Sequence, residues 1–129
     1  TLKRVLEIGV ADLINDILSD NEARTPIFGA RSPLYLPGYA VAAKTGTTQE
    51  FKDGWTIGYT PSIAVGVWVG NNNGSPMKKE PGVVLAGPIW NQFMKKALEK
   101  YPPAESFQEP ALIKTEILIL KGTNSGFRE

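Results

Sequence analysis

The residues best equipped for chemistry lie together. Lys44, Thr45, Gly46, Thr47, Thr48 and Gln49 fall within the stretch AVAAKTGTTQE, directly after a run of small apolar residues. A lysine supplies a fixed cation, threonines supply hydroxyls, and a glycine lets another backbone or a ligand come close. The chain has neither histidine nor cysteine. That removes imidazole general bases, the Ser-His-Asp triad, cysteine nucleophiles, disulfides and thiolate or imidazole metal sites. Any acid-base work must come from lysine, carboxylates or tyrosine.

The elements that position these residues can be read from periodicity. Tyr39 to Thr47 reads as a strand, buried until its polar end. Asp53-Gly54 opens a second strand through Trp55 to Tyr59, Thr60-Pro61-Ser62 turns the chain, and Ile63 to Val69 makes a third, β-branched strand. Short connections make the neighbours antiparallel, so the expected core is a three-stranded meander in an α+β fold.

Upstream, Val10, Leu13, Ile14, Ile17 and Leu18 recur at helical spacing and predict an amphipathic helix with one buried face. It should stop near Ser19-Asp20-Asn21, residues suited to capping. About fifteen irregular residues marked by Pro26, Pro33 and Pro37 should follow. After a loop beyond the third strand, Pro88 sits where a helix tolerates proline, and Ile89, Trp90, Phe93, Met94, Ala97 and Leu98 define that helix's apolar face. Trp55, Trp68 and Trp90 are expected to pack between sheet and helix. Beyond Tyr101-Pro-Pro103, the run Ile117 to Leu120 predicts at most one short strand.

The chain has 129 residues, 42% of them hydrophobic, enough for one domain with a modest core. Its 14 basic and 13 acidic residues leave a formal charge of +1, which gives no reason to expect nucleic acid. No apolar run approaches the roughly 20 residues a membrane-spanning helix requires. The first residue is Thr1 and the N-terminus lacks the pattern of a signal peptide, so the expectation is a piece of a longer protein.

Three chemistries use a lysine and a threonine in nearly this order. A phosphate loop needs a glycine where Ala43 stands, so that backbone amides can close on phosphate oxygens. An aspartyl-phosphate pump needs a carboxylate at that same position, and alanine cannot be phosphorylated. The third is the K-T-G strand of serine acyltransferases. The tetrapeptide alone would also fit a surface lysine at a strand end.

The wider pattern favours the third. Lys44-Thr-Gly-Thr-Thr48, Asp53-Gly-Trp55, Gly58-Tyr-Thr-Pro61, Val65-Gly-Val-Trp-Val-Gly-Asn71 and Gly87-Pro-Ile-Trp90 resemble, in order and spacing, the C-terminal part of the transpeptidase domain of bifunctional class A penicillin-binding proteins. The resemblance runs from about Val10 to Leu98. It implies that K-T-G lies on an edge strand of an antiparallel sheet, beside a cleft where a peptide ending in D-Ala-D-Ala acylates a serine. It gives Lys44 the positive charge near nucleophile and substrate carboxylate, Thr45 and Thr47 hydroxyls for that carboxylate, and Gly46 an open strand edge. The Thr47 backbone N-H becomes an oxyanion-hole donor, and Thr48 and Gln49 become rim residues.

The resemblance also implies that pieces are absent. Ser75-Pro-Met-Lys78 looks like the family's S-x-x-K, but it follows Lys44 where the family's motif precedes it, in a loop with no apolar helix. Ser19-Asp-Asn21 looks like its S-x-N, but stands far closer to Lys44 than the family places the two. Both are read as decoys. The chain is therefore expected to hold the substrate clamp without the nucleophile, with residues 1–102 as the transpeptidase part and 103–129 as a tail. Alone it should be inert and weakly stable, because its sheet and helices lack the upstream half they bury against.

The implied partners are stem peptides, β-lactams and that missing upstream half, with no metal or cofactor and no nucleic acid. The implied location is the outer side of the cytoplasmic membrane, reached through an anchor that lies elsewhere in a parent protein. Two alternatives stay open: a D,D-carboxypeptidase or β-lactamase relative, and a non-catalytic scaffold that keeps the clamp.

Overall fold

The computed structural model describes residues 5–77 and 81–110. The strand expected at Ile117 to Leu120 and the lysine of Ser75-Pro-Met-Lys78 lie outside them. The elements are α1 (Ile8–Ser19), α2 (Asn21–Phe28), β1 (Ala42–Thr47), a 3-10 turn (Gln49–Phe51), β2 (Asp53–Tyr59), β3 (Ala64–Gly70), α3 (Gly82–Leu85) and α4 (Gly87–Lys100). The sheet is the expected antiparallel meander in the order β1-β2-β3.

Its register decides which side chains share a face. Ala42 opposes Tyr59, Lys44 opposes Ile57 and Gly46 opposes Trp55, while Trp55 opposes Trp68 and Ile57 opposes Gly66. Strand residues alternate sides, so these residues form one face. Ala43, Gly58 and Val65 form the other, with Thr45, Thr56 and Val67 and with Thr47, Gly54 and Val69.

Helix α4 covers that second face. Trp90, Met94 and Leu98 are fully buried against Ala43 and Val65, with Leu34, Leu36 and Val41 completing the cluster. Trp90 Nε1 donates to the Val65 carbonyl at 3.1 Å, so the indole is buried with its polar atom paired. A Cβ on Gly58 would lie 2.3 Å from Trp90 Cζ2. The strand carries glycine there because the indole lies directly on its backbone.

Several expectations need correction. Residues 21–28 are helical despite Pro26: the Asp20 carboxylate accepts from Ala23 N-H as an N-cap, and Thr25 Oγ1 donates to the Asn21 carbonyl. Pro26 leaves only the carbonyl of solvent-facing Glu22 without its helical donor. The capping expected of Ser19-Asp-Asn21 is present, on the helix that follows as well as on α1, where Ser19 Oγ donates to the Asp16 carbonyl. Arg24 reaches back from α2 to donate to the Leu18 and Asp20 carbonyls. Burial lowers the pKa of its guanidinium, an effect the Asp20 charge opposes.

The first strand begins at Ala42 and not at Tyr39, because its partner turns away after Tyr59, where Thr60 N-H bonds the Ile63 carbonyl. The segment before α4 contains a further single turn of helix, α3, too short to show a period. Helix α1 has no buried residue. Its Ile8, Val10, Ile14 and Ile17 are exposed, and it touches the sheet along β1, with Tyr59 Oη donating to Asn15 Oδ1 at 2.8 Å. In α4, Ile89 and Phe93 are also exposed. Of the three tryptophans only Trp90 lies between sheet and helix. Trp55 and Trp68 stand on the opposite face, 41% and 42% exposed.

Candidate active site at the edge of β1

Strand β1 bonds to β2 along one side and, among the described residues, to no strand along the other. Its first residues, Ala42 and Ala43, are buried, and its last, from Lys44 onward, emerge toward solvent. Small side chains at the buried end allow the close approach of Trp90 below Gly58, which anchors the sheet. The polar end is thereby held on a rigid support while its outer edge stays open.

The expected site residues do not all point the same way. Lys44 and Gly46 belong to the face with Ile57 and Trp55, whereas Thr45 and Thr47 belong to the face with Thr56 and Gly54. A ligand resting on either face could meet only one pair. A ligand lying along the free edge can meet both, which is the geometry of an added strand. Lys44 Nζ donates to the Thr45 carbonyl at 2.7 Å and has no carboxylate partner among the described residues.

Thr47 is committed on one side. Its Oγ1 accepts from Gly82 N-H at 2.9 Å, which leaves its own O-H free to donate. A Cβ on Gly82 would stand 2.4 Å from the Gly46 carbonyl oxygen and 3.1 Å from that of Trp55. Only glycine lets α3 seat against the end of β1 in this way. Nothing in the spacing of the sequence marks Gly82, since the contact joins residues 35 positions apart.

The rim is built around Asp53. Thr48 N-H donates to the Asp53 carbonyl at 3.1 Å, Asp53 N-H donates to Thr48 Oγ1 at 2.9 Å, and Thr48 O-H donates to Asp53 Oδ2 at 3.0 Å. Asp53 Oδ1 accepts from Trp68 Nε1 at 2.8 Å. These bonds clamp the ends of a turn whose Glu50 and Phe51 have φ of 60° and 55°, a left-handed conformation that costs non-glycine residues about 1–3 kcal/mol each. Met77 N-H adds a bond to the Phe51 carbonyl. The exposed Lys52–Glu50 ion pair contributes little beside them. Gln49 is exposed in this turn, at the lip of an open depression shared with Thr47, Thr48 and Asp53. The sequence marks Asp53 as a strand opener but not as the residue that ties Thr48 to Trp68.

The two serines expected to be decoys lie in a helix end and a loop. Ser19 ends α1, and Ser75 lies in a loop where Asn71 Nδ2 donates to its carbonyl and Asn73 Oδ1 accepts its N-H.

The sequence profile of the penicillin binding protein transpeptidase domain matches residues 2–95, most of the chain. The chain belongs to that family. Similar proteins include "Penicillin-binding protein 1A" of Aquifex aeolicus, 37% identical over 120 residues covering 82% of this chain and 16% of the relative. The protein of the same name from Pseudomonas aeruginosa is 31% identical over 116 residues, covering 89% of this chain and 14% of the relative. That of Mycolicibacterium smegmatis is 37% identical over 114 residues, covering 78% and 14%. The chain thus spans about one-seventh of the length of these relatives, and within the transpeptidase fold it supplies an antiparallel sheet with packed helices.

Proposed function

We propose that this chain is the substrate-clamping part of a serine D,D-transpeptidase that cross-links peptidoglycan stem peptides and is the target of penicillins. The observation that carries the reading is the free edge of β1, where Lys44, Thr45, Gly46 and Thr47 meet solvent on a sheet anchored from behind. A peptide ending in D-Ala-D-Ala pairs along that edge. Its terminal carboxylate meets the Lys44 ammonium and the hydroxyls of Thr45 and Thr47. A serine from another part of the parent protein attacks the carbonyl of the penultimate D-Ala, and the Thr47 N-H helps hold the resulting oxyanion. The C-N bond to the terminal D-Ala breaks, that residue leaves as the amine, and an amine of a neighbouring stem peptide then displaces the serine from the acyl-enzyme.

The nucleophile and base lie outside this chain. Ser19, whose Oγ donates to the Asp16 carbonyl at the end of α1, supports that assignment. The exposed apolar surface supports the same division: Ile8, Val10, Ile14 and Ile17 of α1 and Trp55, Ile57 and Trp68 of the sheet are side chains of the kind a catalytic domain buries. The upstream half of the domain is the partner that covers them. Placement outside the cytoplasmic membrane follows from the substrate. No helix among the described residues is long and apolar enough to cross a membrane.

Acylation by a labelled penicillin tests the reading in two steps. The 129-residue chain alone should show no covalent mass increase, whereas the parent protein encoded by the continuous reading frame should be acylated. In that parent, Lys44→Ala should slow acylation by about 10² to 10³, the scale of losing one fixed electrostatic contact to the transition state. A covalent adduct on Ser19 or Ser75 of the chain, or an unchanged rate in the lysine variant, would refute the assignment.

A further inference from the structure

A cavity of about 710 Å³ opens on the side of the molecule carrying α4, between the loop that follows α2 and the first turns of α4. It shares no lining residue with the depression beside Thr47 and Asp53. Its volume falls within the range of small-molecule sites. Arg31 and Lys95 place two cations in its wall, with the amides of Asn91 and Gln92, the ring of Tyr35 and three prolines between them.

The wall is preformed. Asn91 Nδ2 donates to the Pro33 carbonyl at 2.7 Å and to that of Tyr35 at 3.2 Å, which fastens the loop to the helix. A Cβ on Gly87 would meet Pro33 Cβ at 3.0 Å, so the loop sits tightly on the helix start. Of the polar groups left over, the two cations are exposed at the cavity. Among the described residues neither Arg31 nor Lys95 has an ion-pair partner, although cations brought into one wall repel each other without an anion. Ser32, 6% exposed, keeps its Oγ buried behind that wall without a hydrogen-bond partner, which is uncommon for a buried hydroxyl and which a small shift of the loop would turn toward the cavity. Asn91 has spent its donors on the loop and keeps an acceptor oxygen.

We propose that this cavity binds carboxylate-bearing peptides, at a site separate from the edge of β1. Two cations select for acidic groups. The Asn91 Oδ1 can accept a peptide N-H and the Gln92 amide can pair with either peptide group, and the tyrosine and prolines give an apolar bed for an extended backbone. A neutral sugar would leave both cations unpaired. The inference does not depend on the acyl-transfer reading, since it uses no residue of the β1 edge and its test involves no acylation.

Amide NMR of the ¹⁵N-labelled 129-residue chain, or of the full transpeptidase domain if the dispersion of the amide resonances shows that the chain alone is unfolded, decides it. Titration with the peptide Ala-Glu-Glu-Ala should give saturable shifts at Arg31, Tyr35, Asn91 and Lys95 that weaken as salt rises. The neutral isostere Ala-Gln-Gln-Ala and the disaccharide of N-acetylglucosamine should give none. The double variant Arg31→Gln/Lys95→Gln should bind at least about tenfold more weakly, the effect of losing charge-assisted contacts. Both positions are exposed, so the fold should persist, and Lys100→Gln, which removes a remote charge, should bind normally. An equal response to the neutral peptide, a response to the disaccharide, shifts confined to Lys44–Thr48, no saturable shift, or undiminished binding by the double variant would each overturn the proposal.

Discussion

The two faces of the sheet are made by the same strands and yet are different kinds of surface. Behind β2, Gly54, Thr56 and Gly58 are buried beneath α3 and α4. In front, Trp55, Ile57 and Trp68 stand 41%, 50% and 42% exposed. The larger side chains are on the face with less cover. The covered face carries glycine at positions 54 and 58, where a helix lies directly on the backbone; the open face carries Trp55, Ile57 and Trp68 with Gly46 and Gly66 between them. Lys44 lies on this open face, so under the proposed function it stands where the rest of the catalytic centre arrives.

The largest effect expected from this contrast is at Trp90. Trp90→Ala should cost about 3–5 kcal/mol, since a fully buried indole is lost and the Val65 carbonyl loses its donor. Trp68→Ala, a same-type change on the open face, should cost under about 1 kcal/mol in the isolated chain. Urea midpoints of the two variants measured side by side test the pair. Similar losses would mean that the open face is covered in solution.

Glycine exchange sharpens the contrast further. In Gly58→Ala the new methyl would meet the Trp90 ring at 2.3 Å and the Ala42 carbonyl at 3.0 Å, whereas in Gly66→Ala the nearest atom, Ile57 Cγ1, is 3.7 Å away. The first should destabilise by about 1–3 kcal/mol, as overpacked sites do. The second lies in ordinary contact distance on the open face and should be nearly neutral. Thermal unfolding of both proteins reads the difference, and a penalty at position 66 as large as that at 58 would contradict the assignment of faces.

How much of this was legible in the sequence follows from the same residues. Helix α4 was readable because Trp90, Met94 and Leu98 keep one helical stripe behind Pro88, and the meander was readable from Asp53-Gly54 and Thr60-Pro61. Helix α2 was hidden because the proline rule outweighed a cap supplied by Asp20, whose effect depends on a single carboxylate reaching Ala23 N-H. The three tryptophans are alike as residue types, and glycines stand on both faces of the sheet, so their sides become distinct only once the strand register and the helix covering one face are known. For the site, Lys44 to Thr48 was visible as a motif, and the division of Lys44 from Thr45 follows from strand alternation. The ties from Asp53 and Gly82 were not visible, because they depend on a turn with left-handed Glu50 and Phe51 and on a contact across 35 positions.

The smallest effect probes how the open face supports the rim. Trp68→Phe keeps an aromatic ring opposite Trp55 but removes the Nε1-H that Asp53 Oδ1 accepts. The bond is solvent-exposed, so its loss should cost about 0.5 kcal/mol or less, the low end for a hydrogen bond. Its consequence should be local: Asp53 still holds Thr48 through three other bonds, and the amide resonances of Thr48 to Lys52 should shift while those of Ala42 and Ala43 stay in place. A shift that spreads to the buried end of β1 would mean that the two faces are mechanically coupled through the strand. A response limited to the turn would mean that the rim can be tuned from the open face without disturbing the anchored one.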